Sequence, residues 1–384
     1  MEEKKQNDKP LNKDFKVPKL RFRNFSKPYE KIALGKFDNN PMYGLNVSSK
    51  KFDGVNRYVR ITDINDDTHN LISNDICSPS SFNAKYLLSE GDLLFARTGA
   101  SVGKTYLYCS MYGPQYFAGY LIKFHFQNNS IARYVFFSTQ TKRYKKWVNV
   151  FSKRSGQPGI NSEEYSKFEV YLPENNELNK IECFFEFLES KINTINEKIK
   201  VLKKYKKGIQ EIIFEKKSNV AYVRLCSLVS FMPKSKFSAG NSIENGRYPF
   251  YLSGEKTGTI NSFIYQGCYI IANDGGEAGF RLTDGPFSYS DHCICFCCET
   301  EWITQNLYEY LDSQKSKITY IGFLGSSLKN IDRSYLQNFK VPVTVTNKKN
   351  SILFTLLNKK IQNLENELIQ LKASKSYFLK NMFI

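Results

Sequence analysis

Between residues 177 and 214 apolar residues fall at Ile181, Phe185, Leu188, Ile192, Ile195, Ile199, Leu202, Ile209 and Ile213, in steps alternating four and three, with one interruption at Lys206. That alternation is a heptad seam, and with no proline and only Gly208 to weaken it, it predicts one long helix. The seam returns at Phe354, Leu357, Ile361, Leu364, Leu368, Leu371, Phe378 and Met382. Each of these lies 169 positions after its counterpart from Phe185 onward, and the same offset carries Lys206 onto Lys375. The chain therefore reads as two copies of one unit, each ending in a long helix.

The stretches before the helices carry strand and turn signals. In the first unit the candidate strands are Arg57–Ile61, Asp92–Ala96, Thr105–Tyr108 and Tyr120–Phe126, with turn residues between them. A helical stretch is expected over Ile131–Tyr144 and a closing strand over Phe168–Leu172, ended by Pro173. In the second unit the order is a strand-like opening at Tyr222–Phe231, a turn-rich Gly246–Gly258, a strand at Tyr269–Ala272 and a glycine-rich turn from Asn273 to Gly279. A strand at Asp291–Cys298, a helix over Trp302–Lys315 and a closing segment at Asn338–Val345 follow. The globular parts match in layout more than in sequence, whereas the helices match in register: one scaffold carrying two heads with different targets. Residues 1–16 read as a polar, disordered leader.

A seam two residues wide is not stable alone in water. Two matching seams in one chain can bury each other, and antiparallel pairing would relate the units by a pseudo-twofold axis. The stretch from Phe185 to Ile213 is 29 residues, roughly 42 Å at 1.5 Å per residue. One DNA turn is ~34–36 Å, the usual separation of paired half-sites. A coiled coil between chains is the other reading of the same pattern.

A chain of 384 residues with 41% hydrophobic and 15% aromatic residues has material for two cored domains. Its net charge of +18 and pI near 9.3 point to a polyanionic partner, with nucleic acid first; an AT-rich genome that inflates lysine is the bland alternative. Apolar runs such as Tyr269–Ala272 are too short to span a bilayer, and the polar N-terminus lacks a signal peptide's apolar segment. A cytoplasmic protein with nine reduced cysteines is expected.

Specific motifs sharpen this. Val17–Phe22 (VPKLRF) resembles the start of the first head of the DNA-specificity subunits of type I restriction–modification systems. Gly91–Gly99 (GDLLFARTG) with Val102-Gly103-Lys104 resembles their target-recognition hairpin, and Gly156–Asn161 (GQPGIN) leading to Phe168–Pro173 resembles the passage from head to helix. In the second unit Tyr248–Tyr251, Asp274-Gly275-Gly276 and Phe339–Pro342 resemble the same family. Two departures stand out. Glu177-Leu178-Asn179 replaces the usual acidic-Gln pair, and Gly325-Ser326-Ser327 is no clear copy of the Gly-Gln element. The resemblance implies an α+β fold: target-recognition domains at 17–173 and 218–345, a central spacer helix at 174–217 and a C-terminal one at 346–384, forming an intramolecular antiparallel coiled coil. It implies a non-catalytic reader of a bipartite site on double-stranded DNA. Two methyltransferase subunits and possibly restriction subunits would be partners, holding the S-adenosylmethionine, ATP and Mg that this chain would not bind.

The candidate DNA contacts in the first head are Arg97, Thr98, Ser101 and Lys104 on the hairpin, the basic run Lys142, Arg143, Lys153 and Arg154, and Gln157 of the passage motif. In the second they are Asn273, Asp274, Glu277 and Arg281 around the glycine-rich turn, with Lys234 and Lys236 by charge. Arg and Asn suit base edges and Lys suits phosphate. For the basic run, phosphate contact and a plain solvated face stay open; for the lysines 198, 200, 203, 204 and 207, solubility is the favoured reading over contact with the DNA gap. Residues 98–105 approach a phosphate-binding loop, but strand-like Tyr106-Leu107-Tyr108 follows where that motif needs a helix. Cys293, Cys295, Cys297 and Cys298 beside His292 hint at metal, yet no second ligand pair stands elsewhere, and alternation along a strand suits buried thiols. A nucleotide-dependent enzyme and a coiled-coil adaptor with non-specific DNA binding remain the alternatives.

Overall fold

The computed structural model describes residues 17–384 apart from 67, 73, 155, 215–219, 255 and 326–328. The leader at 1–16, the end of the spacer at 215–217, and Ser326 and Ser327 lie outside the described residues. The chain divides into two compact units, Met1–Asn193 with Ile369–Ile384, and Thr194–Leu368.

In the first unit, the opening strand Glu30–Ala33 pairs antiparallel with the closing strand Glu169–Leu172, Glu30 opposite Leu172. Between them lies a four-stranded sheet in the order Met42–Tyr43, Leu121–His125, Asp92–Ala96, Thr105–Leu107. The two middle strands are buried almost throughout, with Lys123 and His125 half-buried beside Asp92. The expected helix Ile131–Tyr144 is two helices, Asn129–Ser138 and Lys142–Phe151. The break follows from Thr141, whose hydroxyl accepts the Tyr144 N–H and restarts the chain as an N-cap. Tyr144 and Trp147 of the basic run face inward, packed on Phe168 and Tyr165.

The second unit repeats the plan. Tyr222–Arg224 pairs antiparallel with Lys340–Pro342. The sheet order is Val229–Phe231, Cys293–Cys298, Ile270–Asn273, Phe280–Leu282, the same outer–inner–inner–outer sequence as in the first head. Tyr222–Phe231 is two short strands around a turn, and the supposedly turn-rich Gly246–Gly258 contains a strand, Tyr248–Tyr251, paired with Thr257–Ile260. Its alternating aromatics pack there, which outweighs the flanking glycines. The strand Cys293–Cys298 separates two apolar clusters. Cys293 and Cys295 lie in one with Ile271 and Phe287, and Ile294, Phe296 and Cys298 lie in the other. Burial raises the thiol pKa of Cys293 and Cys295 and pushes Cys298 up to about 12, which keeps them protonated. Among the described residues no group of three or more His, Cys, Asp or Glu could hold a metal ion, and no helix is long and apolar enough to cross a membrane.

The long helices are Asn175–Phe214 and Lys348–Met382. Within the first unit the Phe184 and Phe378 rings meet at 4.8 Å and Glu189 meets Lys375. Within the second, Lys203 meets Glu365 at 2.7 Å, Lys206 meets Asn358 at 2.8 Å, and the Phe214 and Phe354 rings stack at 5.9 Å. In both units the partner number falls as the first rises, so the pairing is antiparallel and intramolecular. Phe185, Leu188, Ile192, Ile195, Ile199, Phe354 and Ile361 are buried. Leu202, Leu357, Leu364, Leu368 and Leu371 are half-buried, as expected where only two helices cover a seam. The C-terminal end buries more than its seam predicts: Leu379 and Phe383 join the first unit's core with Phe185 and Tyr134. There the helix meets the head as well as its partner helix.

Candidate nucleic-acid interface

The hairpin of the first head pairs Leu93 with Leu107 and Phe95 with Thr105, and turns at 97–104. The turn is held from outside by the passage loop. The Gly99 N–H donates to Pro158 O and the Ile160 N–H to Arg97 O, both at 2.9 Å, and Thr98 bridges to Gly159. Gly99 has φ +69°, and a Cβ there would lie 2.8 Å from Gln157 Nε2, so the positive φ favours glycine, and a side chain there would push the Gln157 amide off the turn. Arg97, Thr98 and Gln157 are thus brought together. Ser101 sits on the same turn, half-buried, its carbonyl accepting the Lys104 N–H.

Among the candidate contacts of the first head, Arg97 is held against aromatic rings. Its guanidinium lies 4.9 Å from the Tyr43 ring centroid and 5.9 Å from that of Tyr120. Its Nε is buried and has no hydrogen-bond partner among the described residues, and Tyr120 is 57% exposed. Aromatic faces fix the planar cation without consuming its terminal N–H groups, which are the donors suited to a base edge. Neither tyrosine is a sequence candidate for this role: Tyr43 lies far from the hairpin in number, and Tyr120 figures only as the first residue of a candidate strand.

Other candidates are engaged. Lys104 Nζ pairs with Asp66 at 2.8 Å and donates to Ile64 O at 3.2 Å, so its charge serves the fold. Arg143 donates to the Ile384 carbonyl at 3.0 Å, lies 4.9 Å from the Tyr171 ring centroid, and has its pKa lowered by burial. Arg154 grips Glu164 with two hydrogen bonds. Lys142 and Lys153 are exposed. Lys142 and Lys145 line a cleft of about 350 Å³ together with Lys372, Lys375 and Lys380 from the far end of the chain. Sequence order hides that convergence.

In the second head the turn after Ile270–Asn273 is pinned rather than free. Arg281 donates to the Leu252 carbonyl and, at 3.2 Å, to Asn273 Oδ1; burial lowers its pKa. Asn273 is buried, accepts the Gly254 N–H at 3.1 Å and donates to Glu277 O at 3.4 Å. Asp274 pairs with Arg333 at 3.2 Å. Glu277 is exposed at the turn, and Lys234 and Lys236 are exposed after the edge strand Val229–Phe231. Asn273 and Arg281 therefore shape the turn, while Glu277 presents charge from it and the two lysines present charge beyond the edge strand. Of the off-seam lysines, Lys200 pairs loosely with Glu197 at 3.8 Å and Lys203 with Glu365.

Comparison with known proteins adds three findings. The family model for the type I restriction modification DNA specificity domain matches the chain twice, over residues 34–204 and 217–373. The chain is 24% identical over 297 residues to the type I restriction enzyme MjaX specificity subunit of Methanocaldococcus jannaschii, covering 68% of this chain and 69% of that one. It shares its fold with the crystal structure of the type I restriction-modification system S subunit from M. genitalium, with TM-score 0.74, 14% identity, and coverage of 96% of this chain and 99% of the other. One match falls on each head and runs on into the long helix that follows it: the chain belongs to the type I restriction–modification DNA specificity family.

Proposed function

We propose that this chain, the non-catalytic DNA-recognition component that its family defines, reads a bipartite site with one head per half. On this reading the paired helices set the unread gap and dock two methyltransferase subunits, with restriction subunits as further partners in the cytoplasm. Those subunits would hold S-adenosylmethionine, and ATP and Mg where cleavage follows. The observation that carries the reading is the repetition of one sheet order in two heads whose exposed turns carry different chemistry. One has a cation set against two tyrosine rings, and the other an acidic turn pinned by Arg281 and Arg333. Matching scaffolds with unlike turns suit a split, asymmetric target.

The experiment is methylation of genomic DNA in vitro by the methyltransferase subunits, with and without this chain, followed by mapping of the modified adenines. A two-part motif that appears only with the chain supports the reading. The same adenines modified without it overturn the reading. So does DNA binding by the assembled complex that shows no sequence preference and vanishes at modest salt.

A further inference from the structure

The lysine that interrupts each seam makes the same three-way junction in each unit. In the second unit Lys206, on the first long helix, reaches Asn358 Oδ1 on the second long helix and Glu309 Oε2 on the head helix Glu301–Ser313, both at 2.8 Å. Asn358 Nδ2 in turn donates to Glu309 Oε1 at 2.7 Å. In the first unit Lys375, on the second long helix, reaches Glu189 on the first long helix and, at 2.7 Å, Gln140 Oε1 in the turn after the head helix. The offset of 169 relates the positions of the two junctions: it carries Gln140 onto Glu309 and Glu189 onto Asn358, while Lys375 lies 169 after Lys206. The carboxylate has changed places: it stands on the head in the second unit and on the long helix in the first, with an amide filling the other position.

Stability alone does not explain these residues. An apolar side chain at the lysine position would continue the seam, and a buried ion pair is generally no more stabilising than a well-packed apolar substitute. What a buried polar contact supplies is register: a seam of leucines tolerates sliding, whereas a charge-assisted hydrogen bond is satisfied in one arrangement. Both lysine side chains are largely buried, 14% exposed for Lys206 and 11% for Lys375. Each fastens three elements at once, the two long helices and the head.

We propose that Lys206 with Glu309 and Asn358, and Lys375 with Glu189 and Gln140, are positioning residues that fix each head on its end of the helix pair. They would thereby select the gap length accepted between the two half-sites. The inference rests on the recognition role proposed above and adds to it the residues that set spacing rather than base preference.

The permuted carboxylate supplies the test. The complex with its methyltransferase subunits is assayed on duplexes carrying the mapped half-sites at the native gap and at a gap one base pair longer. Glu309→Gln leaves the Lys206 ammonium without a carboxylate, and the ratio of methylation rates between the two gaps should fall by about tenfold, the scale of one hydrogen bond to a charged group. Discrimination against a changed half-site base should persist. Glu309→Gln combined with Asn358→Glu rebuilds in the second unit the arrangement of the first and should restore the ratio to within about twofold. Lys206→Met combined with Glu309→Gln, which removes both charges and leaves no buried ion unpaired, should keep the melting temperature while losing gap selectivity. An unchanged ratio in Glu309→Gln, or a lowered ratio that Asn358→Glu does not restore, overturns the inference while leaving the recognition role intact. A wild-type complex without half-site preference overturns both.

Discussion

Phe185 joins three elements of the first unit, and its truncation tests whether the helix pair and the head form one core. Its side chain is fully buried, with ring centroids 5.2 Å from Phe137 on the head, 5.4 Å from Phe184 beside it and 5.4 Å from Phe383 at the end of the second long helix. Phe→Ala in a packed core costs about 3–5 kcal/mol. Edge-to-face and tilted aromatic pairs add ~0.5–1.5 kcal/mol each beyond buried area, which places Phe185→Ala near the upper end. Phe187, two residues along the same helix, is 65% exposed, and Phe187→Ala should stay within about 0.5 kcal/mol. Urea unfolding of the purified chain measures both, the slope with denaturant remaining unchanged. Equal costs for the two substitutions, or a cost below ~1 kcal/mol for Phe185→Ala, would refute the packing described here.

Four further outcomes are expected. Arg97→Ala should leave the melting temperature unchanged and weaken specific DNA binding by the complex by about 1–3 kcal/mol, the scale of one bidentate base contact; binding titrations on the cognate and a half-site-altered duplex check this. Lys104→Met should leave the salt dependence of DNA binding unaltered, because Asp66 already holds that charge. Lys142→Met, by contrast, should reduce the slope of log affinity against log salt by ~0.9 if its phosphate contact is made. His69, buried and hydrogen-bonded to Thr105, has its pKa lowered to about 4, by burial first, against an ordinary value near 6.5. The unfolded chain therefore takes up a proton that the fold refuses. The stabilisation is present above pH ~6.5 and is lost as pH falls through the window towards 4; thermal melts of wild type and His69→Asn should show a shallower acid loss in the variant.

How much of this was legible in the sequence follows from the range of each signal. The seams were readable because a heptad is a local period, and the duplication because one offset relates both helices. The strands Asp92–Ala96 and Cys293–Cys298 announced themselves as apolar runs. What sequence could not give were pairings set by tertiary folding. Lys104 reads as a free cation until the fold brings Asp66 to it. Arg143 reads as a phosphate contact until the chain's last carbonyl arrives 241 positions away. Asn273 and Arg281 carry the right chemistry for base edges, yet they spend it on each other and on neighbouring backbone groups. The repeated lysine was visible as an interruption, but its meaning required both acceptors, Glu309 and Gln140, which lie outside the seam.

The central claim is that two unlike readers share one duplicated scaffold, and exchanging one reader tests it most directly. Residues 17–173 would be replaced by the corresponding head of another member of the family, and the adenines methylated by the resulting complex mapped across a genome. The expected result is a new sequence in one half of the two-part motif, with the other half and the gap length retained. A motif in which both halves change together, or neither does, would contradict the account.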